Sequence, residues 1–189
     1  MAYLNSNQLK DLDFKYLGKN VQISDKAAIY DAHKITLGDN CRIDDFCIIS
    51  GKVSIGDYCH VTPMCLIAGG ELGVNIGDYS TLAYGVKVFS QSDDYSGETM
   101  VNSLIPKKYK AEFISTVVIE KYCVLGANTV VMPGVTLSEG TASGAMTLFT
   151  KSSDEWGLYL GSPARRIKDR KKKLLQMLKE FKESDDDSI

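Results

Sequence analysis

Few residues in this chain have the chemistry to move protons, attack a carbonyl or bind a metal. Its 189 residues include two histidines and five cysteines. No two cysteines form a CxxC pair, and two histidines are too few for a three-histidine zinc centre, so no metal site is expected. Cys41, Cys47, Cys59, Cys65 and Cys123 each follow an aliphatic residue (Leu37, Ile43, Ile55, Val61, Ile119) by four positions. That shared register predicts five compact fillers of one recurring slot and argues against a cysteine nucleophile. His33 falls in the same slot, where a structural or partly exposed role is expected, and His60 immediately precedes Val61. Carboxylates gather in Ser92-Asp93-Asp94-Tyr95-Ser96-Gly97-Glu98, which on its own reads as an Asp-rich turn shaping a loop. Basic residues gather around Gly161-Ser162-Pro163-Ala164-Arg165-Arg166-Ile167.

The elements that must position these groups follow a six-residue beat. Ile119, Leu125, Val131 and Leu137 recur at that interval, and Cys123, Thr129, Val135 and Thr141 recur four places after them. Neither a helix, with its period of 3.6, nor an alternating strand produces this pattern. Turn formers such as Gly126-Ala127-Asn128 and Pro133-Gly134 fall between the repeats. The signature is that of a parallel β-helix, each hexad forming one short wall of a coil. The beat begins at Ile23 and Ile29 and is clear from Leu37 to Ile67. Three extra residues fall at Gly69 to Val74 before it resumes at Ile76, Leu82 and Val88. It is absent from about Ser90 to Thr116, the segment holding the carboxylates; such an excursion maps to a binding face more often than to a neutral loop. After Leu137 the next aliphatic slot holds Ser143, which leaves the path of that coil open. A short helix or turn is expected over Ser6 to Leu12. A helix is expected from about Arg165 to Lys182, with Ile167, Leu174, Leu178 and Phe181 on one face and a frayed end at Asp185-Asp186-Asp187. The predicted division is a β-helix over 1–164, with its loop at about 90–116, and a helix and acidic tail over 165–189.

The length suits one domain with a sizeable core. A net charge of −2 argues against a dedicated nucleic-acid binder. No apolar run opens the chain and no window approaches a membrane span, so the expected location is the cytoplasm.

The hexads, the long loop after Val88, Pro133-Gly134-Val135, the Gly144-to-Ser152 stretch GAMTLFTKS and the GSPARRI ending resemble a hexapeptide-repeat acyltransferase of the sugar O-/N-acetyltransferase branch. The resemblance spans Gly18 to Arg170 and implies a left-handed β-helix, against the usual right-handed crossover rule. It also implies acyl transfer from a coenzyme A thioester without a metal, and a homotrimer whose interfacial sites are lined by the long loop. Relatives acting on hydroxyls carry a histidine in that loop, and here there is none. A sugar amine is nucleophilic once neutral, so a carboxylate that orients it and helps remove its proton suffices. The resemblance places Asp94 or Asp93 in that role, with Glu98, Tyr84 and His60 as further acceptor-side candidates, His60 facing a neighbouring subunit. Ala127 and Ala145 match positions where pantetheine approaches backbone amides. Thr150 and Lys151 match a Thr-Lys pair, and Arg165 and Lys168 match basic residues near the phosphates.

The expected function is acylation of the amino group of a nucleotide-linked amino-deoxysugar for surface polysaccharide synthesis. An O-acetyltransferase of sugars or O-antigen, with His60 or an aspartate as base, is the alternative. A non-catalytic β-helix scaffold is the third reading, opposed by the retained donor motif.

Overall fold

The computed structural model describes residues 2–186. Each coil turns through three short parallel walls. The first wall stacks Tyr16–Leu17, Ile35–Leu37, Val53–Ile55, Val74–Ile76, Val117–Ile119 and Thr136–Leu137. The second stacks Gln22–Ile23, Arg42–Ile43, His60–Val61, Thr81–Leu82, Val124–Leu125, Ala142–Ser143 and Gly157–Leu160. The third stacks Ala28–Ile29, Ile48–Ser50, Leu66–Ala68, Lys87–Phe89, Val130–Val131 and Leu148–Phe149. The predicted solenoid is therefore present, with the beat setting the register: Ile55 pairs with Ile76, Ile76 with Ile119, and Ile119 with Leu137. Because a strand alternates its faces, the aliphatic of each hexad points inward and its neighbour outward. Leu82, Leu125, Val131 and Leu137 are at most 1% exposed. Each such side chain contributes about 1.5–3 kcal/mol through burial.

All five cysteines are buried and unpaired in the small slot, as their spacing predicts. Burial pushes the Cys123 thiol up to about 12. Ser143 points inward too. Its hydroxyl accepts from Gly126 N at 3.0 Å and pairs with Thr129 Oγ1 at 2.8 Å, so the coil keeps its path without an aliphatic there. Phe149 and Tyr159, with ring centroids 5.5 Å apart, belong to the same end of the core.

Corners demand left-handed backbone, and most of the residues that supply it are not glycine. Between the first and second walls it is adopted by Asn20, Asn40, Tyr58, Tyr79, Tyr122, Gly140 and Trp156. A non-glycine residue there costs about 1–2 kcal/mol. Coil-to-coil bonds offset the cost, such as Tyr58 N to Asp39 O and Tyr79 N to Asp57 O, both 2.8 Å. Stacking does too: Tyr58, Tyr79, Tyr122 and Trp156 form one column, with successive centroids 5.1, 5.9 and 6.2 Å apart. Gly140 is required where it stands, since a Cβ would lie 2.5 Å from the Trp156 ring at φ +70°.

Both ends are covered. Helix α1 (Ser6–Asp11) is closed by a capping box, Asn5 Oδ1 accepting from Asn7 N and Gln8 N while Gln8 Oε1 accepts from Asn5 N. At the other end the structure corrects the expected helix from Arg165. Arg165–Asp169 is a strand, antiparallel to Gly157–Leu160, and Ile167 is 56% exposed. The last coil leaves unpaired backbone groups along its edge, and pairing them outweighs the helical propensity of this stretch. Helix α2 begins only at Leu174 and runs to Asp186, so Asp185 and Asp186 are helical, contrary to the frayed end expected there; Asp187 lies outside the described residues. Phe181 of α2 meets Tyr58 edge-on at 5.4 Å, which seats the helix against the aromatic column.

Candidate active site

The inserted loop leaves the corner between the third and first walls. A two-strand antiparallel pair, Gln91–Ser92 with Phe113–Ile114, pins its base, an element that the missing hexads did not announce. Glu112 reinforces it, accepting from Lys110 Nζ and Gln91 Nε2, both at 2.9 Å. The coils thus hold both stems while the loop carries its carboxylates away from the solenoid.

The two neighbouring aspartates have different surroundings. Asp94 Oδ1 accepts from Ser96 N at 2.8 Å, and its Oδ2 accepts from Ser96 Oγ at 2.9 Å and Thr99 Oγ1 at 2.8 Å. The Ser96 backbone N–H foremost, then the two hydroxyls, hold this carboxyl down at about 2. Asp94 therefore shapes the turn. Asp93 receives only a long bond from Asn102 N, at 3.4 Å, and lines a cavity of about 280 Å³ with Phe89, Gln91, Ser92, Tyr95 and Met132. Glu98 lines a different hollow of about 500 Å³ within the loop, beside Lys108 and Lys110. Asp93 and Glu98 are thus not brought into one pocket.

The corner between the second and third walls gathers another set. Tyr84, 63% exposed, occupies the coil before Ala127, and Asn128 N donates to Tyr84 O at 2.8 Å. Ala145 follows one coil on, with Met146 N donating to Ala127 O at 2.8 Å. Tyr84, Ala127 and Ala145 therefore line one corner in sequence, where the two alanines leave the backbone approachable beside the exposed Tyr84 ring. Arg165 sits opposite Leu160, at the corner end of the second wall, and Lys168 opposite Leu158 further along the same strand. Thr150 and Lys151 follow the third-wall strand Leu148–Phe149 and lie exposed at the next corner, across one wall from the alanines.

His60 stands on the outer face of the second wall, between Arg42 and Thr81. Its Nε2 lies 2.8 Å from Asp44 Oδ2, and Arg42 Nε donates to Asp44 Oδ1 at 2.7 Å. Asp44, 2% exposed, was missed by sequence reasoning; it follows Ile43 directly, but its contact to His60 crosses to the next coil. A carboxylate only accepts, so the neutral imidazole carries its proton on Nε2 and leaves Nδ1 as the free acceptor. His33 is exposed at the corner that bears the loop and lines a separate hollow with Lys15, Lys34, Lys52, Gly70 and Glu71. A further cavity of about 410 Å³ lies under α2, walled by Tyr58, Tyr79, Tyr122 and Leu178, and holds none of the candidate residues. Among the described residues no group of three or more His, Cys, Asp or Glu could hold a metal, and no helix is long and apolar enough to cross a membrane.

Comparison with known proteins gives this geometry a context. The family model described as bacterial transferase hexapeptide (six repeats) matches residues 34–69. The chain is 40% identical over 186 residues to the dTDP-4-amino-4,6-dideoxy-D-glucose acyltransferase of Escherichia coli, covering 97% of each chain. Its structure matches that of AntD, an N-acyltransferase from Bacillus cereus, in complex with dTDP and 3-hydroxybutyryl-CoA. The TM-score is 0.96 at 39% identity, covering 97% of this chain and 98% of the other. A variant of AntD, crystallised with dTDP-4-amino-4,6-dideoxyglucose and coenzyme A, matches with a TM-score of 0.95 at 40% identity, with 97% and 98% covered.

Proposed function

Because this chain belongs to the hexapeptide-repeat family of coenzyme A-dependent sugar N-acyltransferases, with the left-handed β-helix of that family, we propose that its acceptor is dTDP-4-amino-4,6-dideoxyglucose, acylated on the 4-amino group. The reaction class is acyl transfer from a coenzyme A thioester to the amine of a nucleotide-linked amino sugar. The observation that carries the choice of acceptor is the 40% identity to the Escherichia coli enzyme over 97% of both chains. A loop with aspartates and no histidine supports it, since an amine needs less help from a base than a hydroxyl does.

Asp93 is the carboxylate that meets the amine. It holds the ammonium by a charge-assisted hydrogen bond and takes up its proton as the neutral amine forms. The nitrogen lone pair then attacks the thioester carbonyl carbon. A C–N bond forms, the carbonyl becomes an oxyanion, and collapse expels the coenzyme A thiolate. The proton lost from nitrogen ends on that sulfur, leaving an amide and a free thiol. Asp94 holds the turn that presents Asp93. Aspartate has been substituted in AntD as well, where alanine and asparagine variants were crystallised with dTDP and coenzyme A. The thioester arm runs along Tyr84, Ala127 and Ala145, with Arg165, Lys168, Thr150 and Lys151 toward its phosphates.

The working unit is a homotrimer in which His60 and the second corner face a partner. Phe46, Met64, Tyr84 and Met146 are 56–68% exposed along that corner, and an apolar stripe of this kind fits an interface. The product would feed surface polysaccharide synthesis in the cytoplasm. The test is thiol release from acetyl-CoA and 3-hydroxybutyryl-CoA with dTDP-linked amino sugars and their hydroxy counterparts. Turnover with the 4-amino sugar alone supports the reading; turnover with the hydroxy sugar, lost in His60→Ala, overturns it in favour of O-acylation.

A further inference from the structure

The corner that bears the loop carries a second feature, on its N-terminal side. Lys15, His33, Lys34, Lys52, Gly70 and Glu71 surround a hollow of about 440 Å³. They come from four separate stretches of sequence and meet only because the coils stack. Lys34 pairs with Asp31 at 3.6 Å and Glu71 with Lys107 of the loop at 3.9 Å. Among the described residues Lys15 and Lys52 have no carboxylate partner. Four lysines thus face two carboxylates, both already engaged. Lys52 is not a free-swinging surface side chain: a Cβ on Gly73 would lie 3.3 Å from its Cγ and Cδ, so its stem rests across that glycine.

This hollow adjoins the Asp93 cavity. A Cβ on Gly70 would lie 3.0 Å from Ser90 Oγ and 3.6 Å from Gln91 Oε1, and Gln91 lines the Asp93 cavity. Gly70 is the shared wall. Coils stack at about 4.8 Å, so Lys52 and Lys34 stand two and three coils, or about 10–14 Å, below the corner that bears Asp93, the reach of a sugar plus a diphosphate, and Lys15 closes the far end of the hollow one coil further on. We infer that the Lys15–Lys34–Lys52 hollow is the diphosphate subsite of the acceptor, holding the nucleotide's phosphates while the amino sugar reaches across Gly70 to Asp93. The inference rests on the nucleotide-sugar reading above. Ammonium groups suit phosphate oxygens as charge-assisted donors, and two without competing carboxylates lose little on engaging them. The adjacent imidazole of His33 adds a donor to phosphate when protonated.

Both substrates carry phosphate, so the test must tell the nucleotide sugar from coenzyme A. Lys52→Met keeps the stem over Gly73 and removes only the charge; Lys15→Met is its companion. Binding of dTDP, coenzyme A and 3′-dephospho-coenzyme A to wild type and variants is measured by calorimetry, with thermal melting as a check on folding. The expected result is dTDP affinity weakened about tenfold or more in each folded variant, with coenzyme A affinity within about twofold of wild type. Added salt should weaken dTDP binding to wild type more than to the double variant. Unchanged dTDP affinity overturns the inference. So does weakened coenzyme A affinity that disappears with the 3′-dephospho form, since it assigns the lysines to the donor. These binding measurements need no turnover, so a wild-type protein that binds dTDP through the lysines yet fails to acylate the 4-amino sugar would sink the proposed acceptor and leave the subsite standing.

Discussion

Replacing each loop aspartate by asparagine separates the residue that shapes the loop from the one that meets the acceptor. Asp94 has both oxygens committed, to Ser96 N, Ser96 Oγ and Thr99 Oγ1 at 2.8–2.9 Å, and titrates at about 2. An amine resembling an α-amino group titrates near pH 8, so passing its proton to Asp94 is uphill by about six powers of ten. Asp93, held only by the 3.4 Å bond from Asn102 N, keeps its carboxylate oxygens largely uncommitted and faces the cavity. Asp93→Asn should lower kcat/KM by about 10²–10⁴, the range for losing a positioned base. Asp94→Asn keeps one acceptor oxygen for Ser96 N; its loss should be about tenfold, with faster hydrogen exchange across residues 94–100. The acid limit follows the same logic. Because the folded carboxyl of Asp94 lies below its unfolded value of about 3.9, its contribution to loop order is full above that pH. It fades as pH falls through about 2. Thiol-release kinetics and exchange measured together decide the matter. Asp94→Asn crippled in kcat with unchanged exchange, beside a near-normal Asp93→Asn, would refute the assignment.

Three further outcomes are expected. Gly140→Ala forces a Cβ to 2.5 Å from the Trp156 ring at φ +70°, and should lower the unfolding free energy in urea by about 1–3 kcal/mol. Ala145→Glu places an anion on the proposed donor corner and should raise the KM for acyl-CoA about tenfold or more, while the KM for the amino sugar moves little. With Cys123 at about 12 and all five cysteines buried, the native protein should resist a thiol reagent at pH 8 and react fully only in denaturant.

Inward-facing residues were the most legible part of the chain. A stacked aliphatic serves the same purpose in every coil, so Leu125 and Val131 announce their walls through the sequence interval alone. Contacts between coils were not legible, because they join residues with no local signal. His60 reaches Asp44 across 16 positions, and Lys15 and Lys52 share a hollow only after the chain has turned through two coils. The pinned base of the loop escaped for the same reason, Gln91 pairing with Ile114 across the whole insertion. Ile167 misled for a different one. Its seven-residue spacing to Leu174, and from there to Phe181, fits a helical face, but the edge of the last coil claims Arg165–Asp169 for a strand. At Asp93 and Asp94 the residue types pointed to the loop, and only the hydrogen bonds told the two apart.

The covered ends of the solenoid also explain how a stack of identical-looking coils stops growing. A parallel β-helix is a template for its own kind, since its last coil offers the next chain the same row of amides and carbonyls that it offered its own. Here the strand Arg165–Asp169 occupies that row in the opposite direction, and it leaves Arg165 and Lys168 exposed while Arg166 turns back to pair with Asp154 and Asp169. A second molecule arriving end-on meets a reversed strand carrying the exposed Arg165 and Lys168 instead of a parallel edge. The same five residues that close the fold thus keep a repeat protein from becoming a filament.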